Sequence, residues 1–501
     1  MAPYENRLNL FVQEVGSDKA TRITSETVRD LAGSMWANGH RILYIKDTAG
    51  DENFQLYGVN VDGTDSKAYT AFPKVRTTII DPLENIDSLV IIGLNKRNPQ
   101  VFDPYRLNLN NGELTQLAEN PGNIQGWMTD HNGKLRVALA IVDGVNTQIL
   151  YRETEEQPFR PVLTTNFRET VSFATFTPDN KMVYALTNIG RDKTALVLMD
   201  PATCEEKEVL YTNDKYDISG LGYSELKKKL ISVSCTGHKG TIRHYFDKNE
   251  EAIRTKLEQK LEGYDINTTS EDKSENIRII YAGGDRTYGT YYTYNVKEDK
   301  LTKIADLAPW IKEEDMVPMH PITYTSRDGL TIEGYLTLPK GYTIGECQKS
   351  ACSSQSAWGP WARDSWGYNP EVQFLANRGY AVLQMNFRAS TGYGRKFTEL
   401  GYKQWGQTMQ NDITDGVEWL IKKGIADPKR VAIYGGSYGG YATLAGVTFT
   451  PDLYACAIDY VGVSNLFTFM QTIPPYWKPL LDMMYEMVGD PVKDKEMMEK
   501  Y

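Results

Sequence analysis

A repeat of about 47 residues runs through the first three hundred residues, and it restricts the fold more than any other feature. Short aliphatic or β-branched runs recur, and their central residues are separated by 46 to 49 positions. A second run follows each of these after 12 to 15 residues. The first runs are centred on Leu43, Val90, Val137, Val183, Ile231 and Ile280, and the second runs on Tyr57, Tyr105, Tyr151, Val197, Tyr245 and Tyr292.

A period in the forties with several short strands per unit is typical of a β-propeller blade of four antiparallel strands. Such a unit cannot bury both of its faces alone, so neighbouring blades share a core. A partial unit at residues 8–15 precedes the six anchored ones, which predicts about seven blades. Residues 249–259 are charged and helix-like in composition, which predicts a helical insertion. The alternative is an irregular β-sandwich with coincidental spacing.

The repeat ends near residue 308, and strands then alternate with helices. An Asp-Gly turn between two β-rich runs predicts a hairpin over residues 322–339. Strand–helix alternation beyond it predicts a mostly parallel sheet covered by helices. We therefore expect a β-propeller at residues 1–315 and an α/β domain at residues 316–501. Between two of its predicted strands, four apolar residues recur at the spacing of one helix face: Met409, Ile413, Val417 and Leu420.

Composition excludes several classes of protein. The net charge of −10 gives no general attraction to nucleic acid or anionic lipid. No apolar run approaches the roughly 18 residues of a membrane span. The five cysteines are scattered and odd in number, which argues against a disulfide framework or a zinc site. The first residues show no signal peptide and predict a cytoplasmic protein; the alternative is an exported parent protein that has lost its N-terminus.

The candidate chemistry is concentrated at one serine. The pattern Gly435-Gly436-Ser437-Tyr438-Gly439 follows an apolar strand and precedes a run of small, helix-compatible residues. This is the context of a nucleophile elbow, in which a strained turn exposes the serine hydroxyl above the sheet. Ser437 is the predicted nucleophile, the backbone N–H of Tyr438 the predicted oxyanion donor, and the three glycines relieve crowding in the turn. The alternative is an ordinary tight turn.

These features resemble the prolyl oligopeptidase family of serine peptidases, in particular its acylaminoacyl-peptidase and dipeptidyl-peptidase branches. The propeller followed by Gly435-Gly-Ser-Tyr-Gly-Gly-Tyr-Ala carries the resemblance, supported by Asn386-Phe-Arg-Ala-Ser-Thr-Gly-Tyr-Gly-Arg and Asp427-Pro-Lys-Arg-Val-Ala-Ile-Tyr. The resemblance implies a propeller over an α/β-hydrolase domain, a peptidase acting on oligopeptides, and no metal or organic cofactor. Exopeptidase and endopeptidase action both stay open, as does the oligomeric state.

No base follows the serine. In α/β-hydrolases an acid and then a histidine come after the nucleophile. Aspartates follow Ser437, among them Asp452, Asp459, Asp482 and Asp490, but an acid without a base does not complete a triad. The resemblance places the missing acid and base beyond Tyr501, so we expect a C-terminally truncated, incomplete hydrolase domain with little or no turnover. All five histidines precede the serine: His40, His131, His238, His244 and His320.

Residues 345–360 depart from the family pattern. The resemblance implies an apolar strand and a His-Gly-Gly-Pro-like oxyanion loop, but Ala357 stands at the histidine position and only Gly359-Pro360 matches. Apart from Ala351, residues 348–356 are all Gln, Lys, Ser or Cys, which disfavours a central buried strand. Codons for Leu-Pro-Val-Val-Val-Asn-Pro-His-Gly-Gly, read out of frame, can spell residues 351–359. We therefore hypothesise two compensating single-base shifts, which gene reads encoding this stretch in frame would contradict.

Three other functions are weighed against the peptidase. The chain could be a non-catalytic propeller module that binds a peptide or protein partner. That alternative gains if residues 1–315 fold alone and bind partners as well as the full chain. An esterase on the same scaffold is less favoured, because simple esterases lack the propeller. A nucleotide-binding loop is disfavoured because no Gly-x-Gly-x-x-Gly opens the helix after Ser437.

Overall fold

A computed structural model of the chain describes residues 1–344, 350–356, 359–473 and 480–501, with only the backbone described for 351–356. The contacts divide the chain into two compact units. The first comprises residues 1–166, 175–183 and 199–206, and the second comprises residues 167–174, 184–198 and 207–501. This division follows contacts and not fold type, so the boundary between residues 315 and 316 stays a prediction.

The first unit contains successive antiparallel sheets whose strands pair with their neighbours in sequence. Two ribbons begin the chain: β1 (Ala2–Tyr4) with β2 (Arg7–Asn9), and β3 (Phe11–Gln13) with β4 (Ala20–Arg22). Three four-stranded sheets follow: β5 (Gly33–Asn38), β6 (Arg41–Lys46), β7 (Gln55–Asn60) and β8 (Lys67–Ala68); β9 (Thr77–Asp81), β10 (Leu89–Asn98), β11 (Val101–Asn108) and β12 (Leu114–Gln116); β13 (Ile124–Thr129), β14 (Leu135–Val142), β15 (Asn146–Tyr151) and β16 (Arg160–Asn166).

Three more sheets continue the series up to residue 306. The first is a four-stranded sheet that consists of β17 (Val171–Phe176), β18 (Val183–Thr187), β19 (Ala195–Met199) and β20 (Glu206–Tyr211). The second unit adds β21 (Gly220–Ser224), β22 (Lys229–Thr236) and β23 (Thr241–Tyr245), then helix α1 (Lys248–Lys260), then β24 (Asp265–Glu271), β25 (Ile277–Gly283), β26 (Thr290–Asn295) and β27 (Lys300–Asp306). Helix α1 confirms the predicted insertion.

The predicted anchors occupy equivalent places in these sheets. Each first-run anchor lies on the second strand of its sheet and each second-run anchor on the third, and the two pair directly at Val137–Tyr151 and Ile280–Tyr292. Five of the six first-run anchors are buried, while at β22 the buried position is Val233 and not Ile231. The propeller prediction is confirmed as six sheets of three or four strands plus two N-terminal ribbons in residues 1–306, all of which the structure describes.

A six-stranded mixed sheet forms the centre of the α/β part, in the order β28-β29-β31-β30-β32-β33. The predicted hairpin is confirmed, because β28 and β29 pair antiparallel around the Asp-Gly turn. Strands β31, β30, β32 and β33 run parallel. The strands are β28 (Met319–Thr325), β29 (Thr331–Thr337), β30 (Ser350–Ser356), β31 (Tyr380–Asn386), β32 (Ala426–Gly436) and β33 (Cys456–Tyr460).

Helices lie between and after these strands and contribute apolar residues to the core that they share with the sheet. The four residues predicted to share one helix face, from Met409 to Leu420, all lie on the longest of these helices, and none has exposed surface. The helices are α2 (Pro370–Asn377), α3 (Arg395–Glu399), α4 (Thr408–Lys422), α5 (Tyr438–Phe449), α6 (Leu466–Gln471), α7 (Leu481–Met487) and α8 (Lys495–Lys500). In the described ranges, no helix has both the length and the apolar character needed to cross a membrane.

The expectation that residues 348–356 would not make a central strand is wrong for the backbone. Residues 350–356 form β30, which pairs in parallel with β31 on one side and β32 on the other. Ladder hydrogen bonds are made by backbone groups, so two flanking strands can hold a segment whose side chains disfavour a sheet. The oxyanion-loop prediction at Ala357 lies outside the described residues, as do residues 345–349 and 358.

Candidate active site

Ser437 lies in the turn that joins strand β32 to helix α5. Its backbone has φ 55° and ψ −114°, a conformation that costs an ordinary residue free energy. The side chain is exposed, while Tyr438 next to it is 1% exposed. The chain therefore passes from the buried end of β32 to the buried first turn of α5 within one residue, and the exposed side chain between them carries a hydroxyl.

Backbone contacts from the neighbouring strand hold this turn. The Ser437 N–H donates to the Tyr460 carbonyl at the end of β33, at 3.0 Å, and the Ser437 carbonyl accepts from the Tyr441 N–H at 3.1 Å. Both interactions are independent of the Ser437 side chain. The hydroxyl is therefore presented by a backbone that is fixed on the strand side and on the helix side.

Glycines allow the close approach of strand and helix. A Cβ on Gly435 would lie 2.5 Å from the Gly439 carbonyl carbon, a separation that side chains do not tolerate. A Cβ on Gly440 would lie 2.3 Å from an Asp459 carboxylate oxygen and 2.5 Å from the Gly462 Cα. The Asp459 carboxylate in turn accepts from the Gly462 N–H at 2.9 Å.

Three of these residues were missed by sequence reasoning. The sequence pattern identifies the glycines nearest the serine. Gly440, Asp459 and Gly462 instead form a tight contact between two segments that are 22 residues apart in the sequence. The only available signal was the doubled glycine at positions 439 and 440, which suggests a second close approach. Asp459 therefore packs against the base of α5.

Aromatic packing fixes the first turn of α5 from below. The Tyr438 ring lies 4.6 Å from the Trp405 ring and 5.4 Å from the Phe387 ring, measured between centroids. Burial raises the pKa of the Tyr438 phenol well above its usual value, so this group stays neutral. Its hydroxyl has no hydrogen-bond partner among the residues the structure describes. Tyr438 can thus contribute chemistry through its backbone N–H, which as a first-turn amide has no partner within the helix.

The histidines of the second unit have other neighbours. His238 shares a hydrogen bond of 3.1 Å with the Gly334 carbonyl and lies 3.8 Å from the Glu333 carboxylate. His244 stacks on Tyr211 at 4.5 Å. Burial lowers the pKa of His320, on β28. In the part of the chain that the structure describes, none of these three rings forms a hydrogen bond with the Ser437 hydroxyl.

The described residues contain no group of three or more His, Cys, Asp or Glu side chains arranged to hold a metal ion. The arrangement around Ser437 therefore consists of an exposed hydroxyl, a helix N-terminus and backbone amides. The hydroxyl can attack an acyl carbon, and backbone amides at the helix N-terminus can stabilise the oxyanion that forms.

Comparison with known proteins gives a consistent result. The family model described as "Prolyl oligopeptidase family" matches residues 366–500. The chain is 33% identical over 510 residues to dipeptidyl aminopeptidase BIII of Pseudoxanthomonas mexicana, covering 99% of this chain and 72% of that protein. It is 31% identical over 540 residues to dipeptidyl peptidase family member 6 of Caenorhabditis elegans, with the same coverage of 99% and 72%.

Solved structures share the fold at low sequence identity. A prolyl endopeptidase aligns with a TM-score of 0.72 at 14% identity, over 97% of this chain and 73% of that one. A puromycin-hydrolysing peptidase of Mycobacterium tuberculosis also aligns with a TM-score of 0.72, at 16% identity, over 99% of this chain and 80% of that one. These alignments span the repeated sheets and the mixed sheet together, which supports a β-propeller followed by an α/β-hydrolase domain.

Proposed function

Since the chain belongs to the prolyl oligopeptidase family of serine peptidases, we propose that it acts on short peptides with the Ser437 hydroxyl as its nucleophile. The observation that carries this proposal is the backbone of Ser437, with φ 55° and ψ −114° at an exposed turn between β32 and α5. A non-glycine residue is kept in such a conformation only where the surrounding structure compensates for its cost, and such residues are common at functional sites.

The proposed reaction is acyl transfer. The Ser437 oxygen attacks the carbonyl carbon of the peptide, its proton passes to a base, and the carbonyl oxygen becomes an oxyanion. The Tyr438 N–H donates to that oxyanion, and the positive end of the α5 dipole lies on the same side. Breakdown of the intermediate expels the amine, which takes up the proton, and water then releases the acyl group. The reaction as proposed uses no metal or organic cofactor.

Low turnover by this 501-residue chain is part of the proposal. A serine hydroxyl is a weak nucleophile until a base accepts its proton, and removing triad members costs several orders of magnitude in rate. No histidine follows Ser437 in the sequence, and the rings of His238, His244 and His320 lie in other surroundings. In this proposal Ser437 is therefore presented for attack, and none of the described histidines of the second unit serves as its proton acceptor.

Covalent labelling with a fluorophosphonate in the presence and absence of added imidazole tests both parts. We expect slow labelling of the chain, accelerated roughly tenfold by imidazole because the free base supplies the missing acceptor. The variant Ser437→Ala should lose the labelling and the imidazole effect. Ser464→Ala, which removes another exposed serine of the second unit, should behave as the unaltered chain.

Each result has a defined meaning. Labelling that survives Ser437→Ala, or that Ser464→Ala removes, would reject Ser437 as the nucleophile. Fast labelling without imidazole would reject the low turnover but keep the nucleophile. Product analysis with dipeptidyl and blocked peptide anilides then separates removal of N-terminal dipeptides from internal cleavage.

A further inference from the structure

A cavity of about 350 Å³ lies in the second unit beside the sheet of β24 to β27. Its wall combines the ends of two of these strands with the segment that precedes α2. Four of its nine residues are aromatic, and one carries a carboxylate. The residues that matter for the argument are Asp265, Tyr281, Tyr288, Trp366 and Tyr368.

Hydrogen bonds and packing hold the aromatic rings in place. The Tyr281 hydroxyl donates to the Tyr288 carbonyl at 3.0 Å, and its ring lies so close to Gly289 that an added Cβ there would be 2.2 Å away. The Trp366 indole N–H donates to the Met319 carbonyl at 3.0 Å. The cavity is therefore largely formed before any ligand binds, as small-molecule sites usually are.

Tyr288 and Tyr368 contribute two further rings to the wall of the cavity. The Tyr288 and Tyr368 rings are 5.2 Å apart between centroids and tilted by 59°, and Tyr288 is 47% exposed. Aromatic rings carry negative charge on their faces, so several rings around one space attract a cation placed between them. Trp366 already makes one cation–π contact, since the Lys239 ammonium lies 5.3 Å from the centre of its ring.

The charge of Asp265 adds to this preference. One of its carboxylate oxygens accepts from the Thr241 hydroxyl at 3.2 Å, and no basic side chain in the described part of the chain forms an ion pair with it. Arg243 interacts with it at longer range, but its guanidinium donates to the Ile266 carbonyl and to the Asn267 side chain. A carboxylate without an ion-pair partner therefore borders an aromatic space.

We propose that this cavity binds an organic ammonium group, of the kind carried by a peptide N-terminus or a lysine side chain. An anion would be repelled by the negative charge of Asp265. A neutral apolar ligand would remove water from that carboxylate without replacing its hydrogen bonds, which is unfavourable. An alkylammonium satisfies both the carboxylate and the ring faces, and the volume is at the lower end of the range for small-ligand sites.

Calorimetric titration of the full chain tests the site without requiring turnover. The ligands are tetramethylammonium and n-butylammonium chlorides, with sodium chloride and n-butanol as the charge and shape controls. We expect both ammonium ions to bind at least fivefold more tightly than n-butanol. Asp265→Asn should reduce ammonium affinity at least fivefold and leave n-butanol unchanged. Glu298→Gln, on the exposed turn between β26 and β27, is the matched control and should have no effect.

A second variant keeps the test independent of Asp265. Tyr288→Ala removes an exposed ring and should lower ammonium affinity several-fold while circular dichroism stays unchanged. A capped Gly-Lys-Gly peptide that binds more tightly than n-butylammonium would identify a peptide-borne ammonium, and the reverse order a free amine. Equal affinity for n-butylammonium and n-butanol, no binding, or full affinity in Asp265→Asn would overturn the proposal. Ser437→Ala should bind as the unaltered chain does, which separates this site from the proposed nucleophile.

Discussion

The parts of the mixed sheet on the two sides of strand β32 differ in how far they are buried. On one side, β31 is buried apart from Tyr380, most of helix α4 is buried, and a buried ion pair joins Arg388 to Asp412. On the other side, every residue of β33 is exposed, including Ile458 at 56% and Tyr460 at 53%. Ser437 lies between these two environments, at the end of β32.

The difference shows that two kinds of interaction support one turn. The buried side restrains α5 through packing, since Tyr438 lies against Phe387 and Trp405. The exposed side restrains it through the backbone, by the hydrogen bond from Ser437 to Tyr460 and the close approach of Gly440 to Gly462. We therefore expect large losses of stability from changes on the buried side, and smaller changes confined to the turn from those on the exposed side.

The largest effect is expected from Asp412→Ala. Its carboxylate accepts from the Arg388 side chain at 2.8 Å and 2.7 Å and from the Arg388 backbone N–H at 3.0 Å, and both residues are buried. The substitution leaves the buried Arg388 guanidinium with the half-exposed Asp328, at 2.8 Å, as its remaining carboxylate partner, so the free energy of unfolding should fall by about 3 kcal/mol. Urea unfolding, with hydrogen exchange of β31 as the local readout, measures this.

Asp452→Ala is the control for that change, because Asp452 is exposed and lies just before β33. It should alter the free energy of unfolding by no more than about 0.5 kcal/mol. Equal losses in the two variants would show that the two sides of the sheet do not differ in the way proposed.

A pH-dependent effect is expected at Asp364, whose backbone N–H donates to the Asn386 side chain at the end of β31. Burial raises the pKa of this carboxyl to about 6, above the value of about 3.9 in an unfolded chain. The folded state therefore holds the proton more tightly, and the stability that this group contributes below about pH 4 is lost as the pH rises through about 6.

Asp364→Asn should remove that dependence. Near pH 7 the variant should be more stable than the unaltered chain by about 3 kcal/mol, and near pH 4 the two should be nearly equal. Urea midpoints across this range give the measurement, with Asp452→Asn as the control. A variant less stable than the unaltered chain near pH 7 would show that the Asp364 carboxylate is compensated by a partner.

Much of the fold could be predicted from sequence, because it follows from periodic patterns. The spacing of anchors such as Val90 and Val137 reflects strands that bury a residue at an equivalent place in five of the six sheets, and the spacing of Met409 and Ile413 reflects one face of a helix. These patterns are local, so one chain is enough to detect them. The reversal at Ser437 was likewise marked by its glycines and the apolar strand before it.

The remainder depends on contacts between distant segments. The approach of Gly440 to Asp459 requires β33 to lie beside β32; the doubled glycine suggests a close approach but does not indicate which segment makes it. Strand β30 forms although its side chains disfavour it, because β31 and β32 provide backbone partners on both sides. The exposure of β33 was also not predictable, since its sequence, Cys-Ala-Ile-Asp-Tyr, resembles that of a buried strand.

Gly440→Ala tests the backbone contact on the exposed side. The added Cβ would meet the Gly462 Cα at 2.5 Å, and a backbone atom cannot move aside as the end of a side chain can. We expect a loss of about 1–2 kcal/mol in the free energy of unfolding, as for overpacking in general. The double variant with Asp459→Ala should recover only part of this, because the Gly462 contact remains.

Gly446→Ala in the same helix is the matched control. There an added Cβ would lie 3.0 Å from side-chain atoms of Ile433 and Tyr454, which have some freedom to adjust. The gain in helix propensity from glycine to alanine is about 1 kcal/mol and offsets that crowding. A loss as large as that of Gly440→Ala would show that α5 tolerates no added side chain, and that the contact with β33 is not special.

The smallest effect is expected at Ser437 itself, and its sign is reversed. With φ 55° and ψ −114°, a residue with a Cβ is strained and glycine is not. Ser437→Gly should therefore raise the free energy of unfolding relative to Ser437→Ala by roughly 0.5–1 kcal/mol, since the relief of strain exceeds the entropy that glycine loses on folding. Thermal unfolding of the two variants side by side measures this. A Ser437→Gly variant less stable than Ser437→Ala would mean that the turn carries no strain, and the reason for assigning a nucleophile to this position would then rest on exposure alone.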